Sequence, residues 1–504
     1  MDETTQAGAG LTHKSVFPAA IYRETVLKPI FENAKRYFLA PLIEIDYAHT
    51  LMLARRQIMP RHEAASVLRA LETLDRSEIF HAEYDGSFED LYFLLEKVLI
   101  ASCGAEIAGK THTARSRNDT DLTMYRMILR GRLAGVFGAL LELRRELVGL
   151  AWEHRSSLMP AYTHNQPAQP TTLGHYLMAF IEILERDAER VIEVYRRVNR
   201  SPLGACAITT TGFAIDRHYT EQLLGFEGLQ LNSYGAIASV DYLAESCSVL
   251  ATSMLSLGRL AQDLLLWSTA EVNFLRLSDG YVQISSIMPQ KRNPVPLEHV
   301  RILASRALTQ GQSVFVCLHN TPFSDMNDAE DGLQPLVYEA FGDGERSVRL
   351  LTGVLHEAEF HVARMAAAAD ENFLPVTELA DSLVRVAGLS FRTAHSIVSL
   401  AVRELEGKYD PEAVAAIVQR ELALTQGGLR VTRGQIRDAL SAENFVAVRR
   451  IPGGPAREAL EPEILRAREQ IASDEDWLSQ TEEKWASARA FMREEIDSLL
   501  RHGE

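Results

Sequence analysis

The chain has 504 residues, of which 46% are hydrophobic and 24% are charged, and its formal net charge is -16. Such a chain is typical of a globular enzyme with two or three domains, and its acidic balance disfavours nucleic acid as a partner. Neither a signal peptide nor a membrane-spanning segment is indicated. The four cysteines lack the spacing of a metal site or a disulfide framework. We therefore expect a cytoplasmic protein with reduced core cysteines, no metal, no cofactor and no membrane partner.

The helical pattern changes along the chain. Residues 1–20 are small and polar, which predicts a mobile start, and short helices with loops follow to about residue 113. Three long patterns then place an apolar residue at every third or fourth position, from Leu122 to Leu150, Leu173 to Val198 and Val240 to Leu264. Each predicts a helix of about 30 residues, or roughly 45 Å. Shorter helical patterns cover 296–318 and 345–368.

The pattern shortens again after about residue 369. One helix is predicted to end near Ala387, before Gly388, and another covers about Ala394 to Leu405. A last helix, 474–500, is predicted to begin at a capping box opened by Ser473. The whole predicts an all-α protein of three mainly helical domains: an N-terminal domain (1–113), a central long-helix bundle (114–368) and a C-terminal domain (369–504). Apolar residues flank the long seams, which favours a homo-oligomer over a monomer with buried helices.

The first of three polar segments comes just before the first long helix. It reads His112-Thr113-Ala114-Arg115-Ser116-Arg117-Asn118-Asp119. Ser116, Asn118 or Asp119 can simply cap the helix, with the arginines in solvent. Alternatively, the free N–H groups and positive dipole of the helix start, together with the arginine fork, can bind a carboxylate. The residues alone leave both interpretations open.

The second polar segment joins the first two long helices. It reads Ala161-Tyr162-Thr163-His164-Asn165-Gln166-Pro167-Ala168-Gln169-Pro170. A threonine and a histidine in a predicted loop carry little functional signal alone. The two prolines restrict the backbone on one side, which would hold the neighbouring donors in place.

The third polar segment is bounded by prolines and is predicted to be a loop. It reads Ser285-Ser286-Ile287-Met288-Pro289-Gln290-Lys291-Arg292-Asn293-Pro294. Its hydroxyls, ammonium and carboxamide can take a proton from carbon and stabilise the negative charge left behind. Asn293 is a predicted N-cap, with Pro294 as the first residue of the next helix and Glu298 in its first turn. Alternatively, a glutamate at this position can have no role beyond a favourable interaction with the helix dipole.

Together these segments resemble the motifs of argininosuccinate lyases in the fumarase/aspartase superfamily, whose enzymes split fumarate from a substituted succinate. The resemblance runs from about Gly86 to about residue 405, and Ile284 stands where the superfamily usually has glycine. It implies β-elimination of fumarate from a small N-substituted aspartate, a reaction of amino-acid metabolism. It also implies a homotetramer in which the three segments meet from different subunits.

The resemblance assigns roles residue by residue. Ser285 is the base, and Lys291 stabilises the aci-carboxylate intermediate. His164, oriented by Glu298, handles protons. The other expected substrate contacts are Ser116, Arg117, Asn118, Thr163, Asn293, Asp325 and Glu330. Of these, Asp325 and Glu330 are expected to contact the leaving amine.

The chain departs from the family where the leaving amine should bind. Asp325, Glu330 and Leu333 stand where the family has tyrosine, glutamine and lysine, and Tyr92 replaces a histidine. The family's N-terminal Trp-Gly-Gly-Arg-Phe start is also missing. An acidic pocket favours a leaving amine with more positive charge, or less carboxylate, than arginine, such as a diamine or polyamine. Argininosuccinate itself, or an inert crystallin-like structural role, are the alternatives. A nucleotide substrate of the adenylosuccinate type is disfavoured, because the first segment resembles the argininosuccinate lyase branch of the superfamily.

Overall fold

A computed structural model of the chain describes residues 17–425 and 431–502. Most of the predicted mobile start therefore lies outside the described residues. The N-terminal part is built from short helices: α1 (Ala20–Tyr22), α2 (Lys28–Tyr37), α3 (Leu39–Arg55), α4 (Arg61–Glu72), α5 (Arg76–His81), α6 (Leu91–Cys103) and α7 (Ala105–Gly109). A π-helical turn (Arg23–Leu27) joins α1 to α2.

The central part contains long helices and short strands. They are α8 (Arg117–Glu153), β1 (Leu158–Thr163), β2 (Gln166–Thr172), α9 (Leu173–Val198), α10 (Arg217–Leu223), α11 (Ser233–Ala238), α12 (Asp241–Trp267), β3 (Leu275–Arg276), β4 (Gln283–Ile284), β5 (Arg292–Asn293), α13 (Val295–Leu318), α14 (Gln334–His356), β6 (Glu359–Phe360) and α15 (Val362–Ala369). The predicted mainly helical fold is confirmed.

The C-terminal part contains α16 (Val376–Ala387), α17 (Phe391–Glu404), α18 (Pro411–Leu424), α19 (Arg433–Ala439), α20 (Ala442–Ala447) and α21 (Arg457–His502). The predicted stop of α16 is confirmed, because Gly388 has a φ of 67°, in the left-handed region that glycine adopts easily. Helices α16 to α19 share a small apolar core of their own.

The last helix differs from the prediction. It is continuous over 46 residues, so Ser473 does not begin it. Asp474, inside the predicted capping box, is instead buried against Arg144 of α8 in an ion pair at 2.5 Å. Helix α21 thus packs on the central bundle, although the domain prediction groups it with 369–504. The domain boundaries remain a prediction.

The long helices of the bundle alternate in direction. Arg197 near the end of α9 is hydrogen-bonded to Glu245 near the start of α12, and Tyr176 at the start of α9 to Asp263 near the end of α12. Tyr125, near the start of α8, donates to Asp331, just before α14. The starts of α8, α12 and α14 therefore lie at one end of the bundle, here called the amino end. The starts of α9 and α13 lie at the opposite, hairpin end.

Helix α12 is long and apolar enough to meet the length and composition criteria for a membrane span. Residues such as Leu243, Leu250 and Leu257 on one face are buried in the bundle, as expected for a core helix. The cysteine expectation needs one correction: Cys206 and Cys247 are buried, but Cys317 is exposed at the end of α13.

Candidate active-site segments

The first polar segment is held rigidly at the start of α8. Ser116 is the N-cap: its hydroxyl accepts from the Asn118 N–H, and its own N–H donates to Asp119 at 2.9 Å. The other carboxylate oxygen of the buried Asp119 accepts from the N–H groups of Gly204 and Cys206 at 2.8 and 2.9 Å. The Asn118 amide donates to the Ala207 carbonyl at 3.0 Å. The capping interpretation is thus correct, and it fixes Ser116 and Asn118 in position.

The arginines of this segment are both paired with carboxylates. Arg115 is buried, where it binds Asp46 and donates to the Tyr92 hydroxyl at 3.1 Å. Arg117 forms ion pairs with Glu89 at 3.0 Å and Asp90 at 2.6 Å. The alternative with both arginines free in solvent is therefore wrong, because Arg115 is buried and Arg117, although partly exposed, is paired. The charge of Arg117 is largely neutralised by its two carboxylates before any substrate binds.

The second segment forms a β-hairpin rather than an irregular loop. Strands β1 and β2 pair from Leu158↔Thr172 to Thr163↔Gln166. His164 and Asn165 make the turn with φ angles of 54° and 59°. The prolines fit because a two-stranded ribbon has only edge strands, where a missing N–H costs little. The exposed Thr163 and His164 therefore lie at the tip of a stiff ribbon at the hairpin end of the bundle.

The third segment lies in a loop between β4 and β5. Its base is closed by the pairs Gln283↔Asn293 and Ile284↔Arg292. The predicted cap is wrong: helix α13 begins at Val295, and Asn293 instead donates its amide to the Gln283 carbonyl at 2.9 Å. A strand position holds that side chain across the neck of the loop, where it cannot cap. Glu298 lies in the first turn of α13, as predicted.

The Ser285 hydroxyl oxygen faces backbone donors of its own loop. It accepts from the Met288 N–H at 3.1 Å and from the Ile287 N–H at 3.4 Å. Lys291 is exposed in the same loop. The two backbone N–H groups favour negative charge on this oxygen, which a serine base requires.

The three segments do not meet within one chain. Ser116 begins α8, whereas the hairpin follows its end, and a helix of 37 residues is about 55 Å long. The serine loop lies at the hairpin end, because it precedes α13. Among the described residues, no hydrogen bond joins His164 to Glu298. One chain therefore carries the first segment at one end and the other two at the opposite end.

A cleft of about 550 Å³ opens beside the first segment at the amino end. Its acidic side chains are Glu89, Asp90, Asp121, Asp325, Glu330 and Asp331. Arg117 is its basic side chain, so the lining is strongly acidic. Asp325 and Glu330 thus lie together next to Asn118, as the family comparison implied. Leu333 is only 6% exposed and belongs to the core, so it does not line this cleft.

Asp121 and Asp331 also line this cleft, although they were not predicted from the sequence. Asp121 follows Arg117 by four residues, so both side chains lie on the same face of α8. Asp331 directly follows Glu330 and accepts a hydrogen bond from Tyr125. The helical spacing from Arg117 was a signal that would have identified Asp121.

Crowding of these carboxyl groups makes the cleft retain protons. Burial, followed by repulsion from Asp325 and Asp331, raises the pKa of Glu330 to about 7. Burial also raises the pKa of Asp331 to about 6 and that of Asp325 above its usual range. The pKa of Asp121 lies well above its usual range, because of burial and then repulsion from Asp331. Among the described residues that line the cleft, Arg117 faces six carboxyl groups, which agrees with the raised pKa values.

Comparison with known proteins identifies the family. Residues 75–309 match a family model described as lyase, and residues 373–447 match one described as argininosuccinate lyase C-terminal. Argininosuccinate lyase 2 of Agrobacterium fabrum is 40% identical over 489 residues, 96% of this chain and 97% of the relative. Argininosuccinate lyase of Methanosarcina acetivorans is 36% identical over 92% of this chain and 93% of its own length.

Solved structures agree with this relationship. EDDS lyase in complex with formate has a TM-score of 0.84 and 31% identity, over 96% of this chain and 99% of that one. The class II fumarase of Schistosoma mansoni has a TM-score of 0.66 over 85% of this chain and 92% of that one, and at 15% identity it shares the fold alone. The chain belongs to the argininosuccinate lyase family of the fumarase/aspartase superfamily, and it is a carbon–nitrogen lyase that releases fumarate.

Proposed function

We propose that this lyase releases fumarate from an N-substituted aspartate whose leaving amine carries more positive charge than arginine. The observation that carries the proposal is the acidic cleft beside Asn118. Carboxylates attract ammonium groups and repel an α-carboxylate, so arginine fits this cleft poorly. EDDS lyase, at 31% identity, is named for another compound, whereas the relatives at 36% and 40% identity are named argininosuccinate lyase.

The elimination begins at the carbon next to the carboxylate. The Ser285 alkoxide takes a proton from that carbon and becomes a neutral hydroxyl, while the electron pair of the broken C–H bond forms the dianionic aci-carboxylate. Donors to this charge are Lys291, Asn293, Thr163, Ser116 and Asn118, and losing one such contact costs about 10²–10³ in rate. The electrons then form the carbon–carbon double bond as the carbon–nitrogen bond breaks. Protonated His164, oriented by Glu298, donates a proton to the departing nitrogen or relays one to it.

We also propose that four copies of the chain assemble these sites. The two ends of α8 are about 55 Å apart, so donors from both ends can meet only between subunits that run in opposite directions. Exposed apolar residues on the outer faces of α12 and α13, including Leu255, Ile302 and Val316, supply surface for this assembly. A cytoplasmic location accompanies this proposal as a prediction.

Substrate choice is tested by following the ultraviolet absorbance of fumarate. The purified chain is given argininosuccinate and N-substituted aspartates whose amines are diamines. We expect a higher kcat/KM for the diamine derivatives. Ordinary family efficiency on argininosuccinate, with poor turnover of the diamine derivatives, would instead make the chain a divergent argininosuccinate lyase.

Site sharing is tested by mixing two inactive variants. Ser285→Ala removes the base at the hairpin end, and Asn118→Ala removes a donor at the amino end. Coexpressed subunits should recover part of the parent activity, because some sites in a mixed tetramer combine two intact segments. Complete inactivity of assembled mixed tetramers would place both residues in the same subunit's site.

A further inference from the structure

The acidic cleft has a second wall of opposite character. The N-terminal segment lines it with Phe17, which precedes α1, and with Tyr22, Val26, Leu27 and Ile30 of the helices that follow. Three of these are exposed, with fractional exposures of 65% for Phe17, 40% for Tyr22 and 37% for Val26. The rings of Phe17 and Tyr22 lie 6.1 Å apart, so they form one continuous apolar surface. A ligand in the cleft thus meets carboxylates on one side and aliphatic and aromatic groups on the other.

The acidic wall contains a carboxyl group with no cation of its own in the described part of the chain. Arg117 is the cation that acts on Asp121, and that guanidinium is already bound to Glu89 and Asp90. The carboxyl groups of the cleft do not form a cluster with metal-ligand geometry within the described residues. An organic cation therefore fits this wall better than a metal ion does.

The apolar wall is formed by the first residues that the structure describes. Here the chain has the turn and helix from Arg23 to Tyr37, which carry Val26, Leu27 and Ile30. Asn118 lines the same cleft, so a substituent on the leaving nitrogen would pass directly from the elimination site into it. The substituent must then contact the acidic side chains and the apolar side chains at the same time.

We propose that the leaving amine is amphipathic: a second cationic group binds at Asp121 and Asp331, and an apolar stem lies against Tyr22 and Val26. The inference rests on the proposed function and specifies its substrate class. The surface contacts predict a preference for hydrocarbon stems over ether or hydroxylated stems of the same length. A fully buried methylene group raises affinity about fourfold. A methylene group covered by protein on one side only raises it about twofold.

The test uses the addition direction, in which the amine nitrogen bonds to one alkene carbon of fumarate and a proton adds to the other. Pentane-1,5-diamine is compared with its analogue in which an ether oxygen replaces the central methylene. Both have the same length and the same two amino groups. We expect kcat/KM to be about two- to fourfold higher for the hydrocarbon.

Variants of the apolar wall test whether it causes this preference for the hydrocarbon stem. Tyr22→Ser combined with Val26→Thr should reduce the ratio of the two kcat/KM values toward one. Val386→Thr is the matched control, since Val386 is an exposed helical valine of the C-terminal part and should leave the ratio unchanged. Val26→Thr alone should reduce this ratio by a smaller amount. The single variant replaces the double variant in the test if the double variant folds poorly.

A third variant tests the cationic group. Asp121→Asn should reduce the preference for pentane-1,5-diamine over pentylamine by about tenfold or more, because a charge-assisted contact of this kind contributes roughly 1.5–3 kcal/mol. A parent ratio near one, or a ratio that the Tyr22 and Val26 changes do not alter, would overturn the inference. Efficient addition of arginine to fumarate, with poor addition of both diamines, would instead refute the proposed function, so the two failures are distinguishable.

Discussion

Replacing Glu330 by glutamine should stabilise the unliganded protein. The pKa of this carboxyl rises from 4.5 to about 7 in the folded chain, chiefly because of burial and then repulsion from Asp325. A rise of this size corresponds to about 3 kcal/mol of unfavourable free energy once the group is ionised. Glutamine keeps the shape and the hydrogen-bonding capacity but cannot ionise. We therefore expect Glu330→Gln to be more stable than the parent at pH 8.

The sign of the pH dependence follows from the direction of the shift. Below about pH 4.5 the carboxyl is protonated in both the folded and the unfolded chain, so it contributes no penalty. Between pH 4.5 and about 7 the unfolded chain ionises while the folded chain keeps its proton, and the stability of the parent falls. Above about 7 the penalty is constant. The advantage of glutamine should therefore grow through this window and then level off.

Thermal unfolding at several pH values measures this effect. For a chain of 504 residues, about 3 kcal/mol corresponds to a rise of roughly 3 °C in Tm at pH 8, and to almost none at pH 4.5. Glu339→Gln, an exposed change on α14, is the control and should not alter Tm with this pH dependence. An equal shift at both pH values, or a lower Tm at pH 8, would refute the reasoning.

The remaining predictions concern activity and the core. Ser285→Ala should abolish fumarate release with an unchanged circular dichroism spectrum, whereas loss on Ser286→Ala alone would show that the base is the other serine. Asp325→Tyr combined with Glu330→Gln should move kcat/KM from diamine derivatives toward argininosuccinate, and an unchanged ratio would contradict the proposed amine pocket. Leu333→Lys should lower the free energy of unfolding by roughly 2–5 kcal/mol in denaturant titrations, because it replaces a large buried apolar side chain.

The KM for a diamine should fall as pH rises through about 6 to 7, since Asp331 and Glu330 lose their protons there and become able to bind a cation. Initial rates of addition at fixed saturating fumarate measure it. A KM that is constant over this window, while the amine itself stays protonated, would contradict the assignment of these carboxyls to the leaving amine.

Much of the fold could be predicted because apolar periodicity reports burial directly. The patterns beginning at Leu122, Leu173 and Val240 became α8, α9 and α12. Caps were harder, since several polar residues at a helix start can fill the same role. Ser116 does cap α8, but Asn293 is drawn into a strand pair that only the folded loop reveals.

The failures at the hairpin and the last helix have one physical origin. Local signals near Pro167 and Pro170, or Ser473, suggested a loop and a helix start. Long-range pairing decided otherwise: β1 supplies the partner of β2, and Arg144 of α8 binds Asp474 in the middle of α21. Asp121 was missed for a different reason. Its spacing of four residues from Arg117 was a usable signal, but its crowding with Asp331, which is distant along the chain, is visible only in the fold.

The length of α8 has a consequence for how this chain can vary. A single residue inserted into that helix would advance one end by about 1.5 Å and turn it by roughly 100° relative to the other. Ser116 and the hairpin tip would then no longer keep their mutual orientation, although the local packing around the insertion could relax. The helix is therefore a spacer whose register is constrained along its whole length. Substitutions on its exposed face are tolerated far more easily than any change in its number of residues.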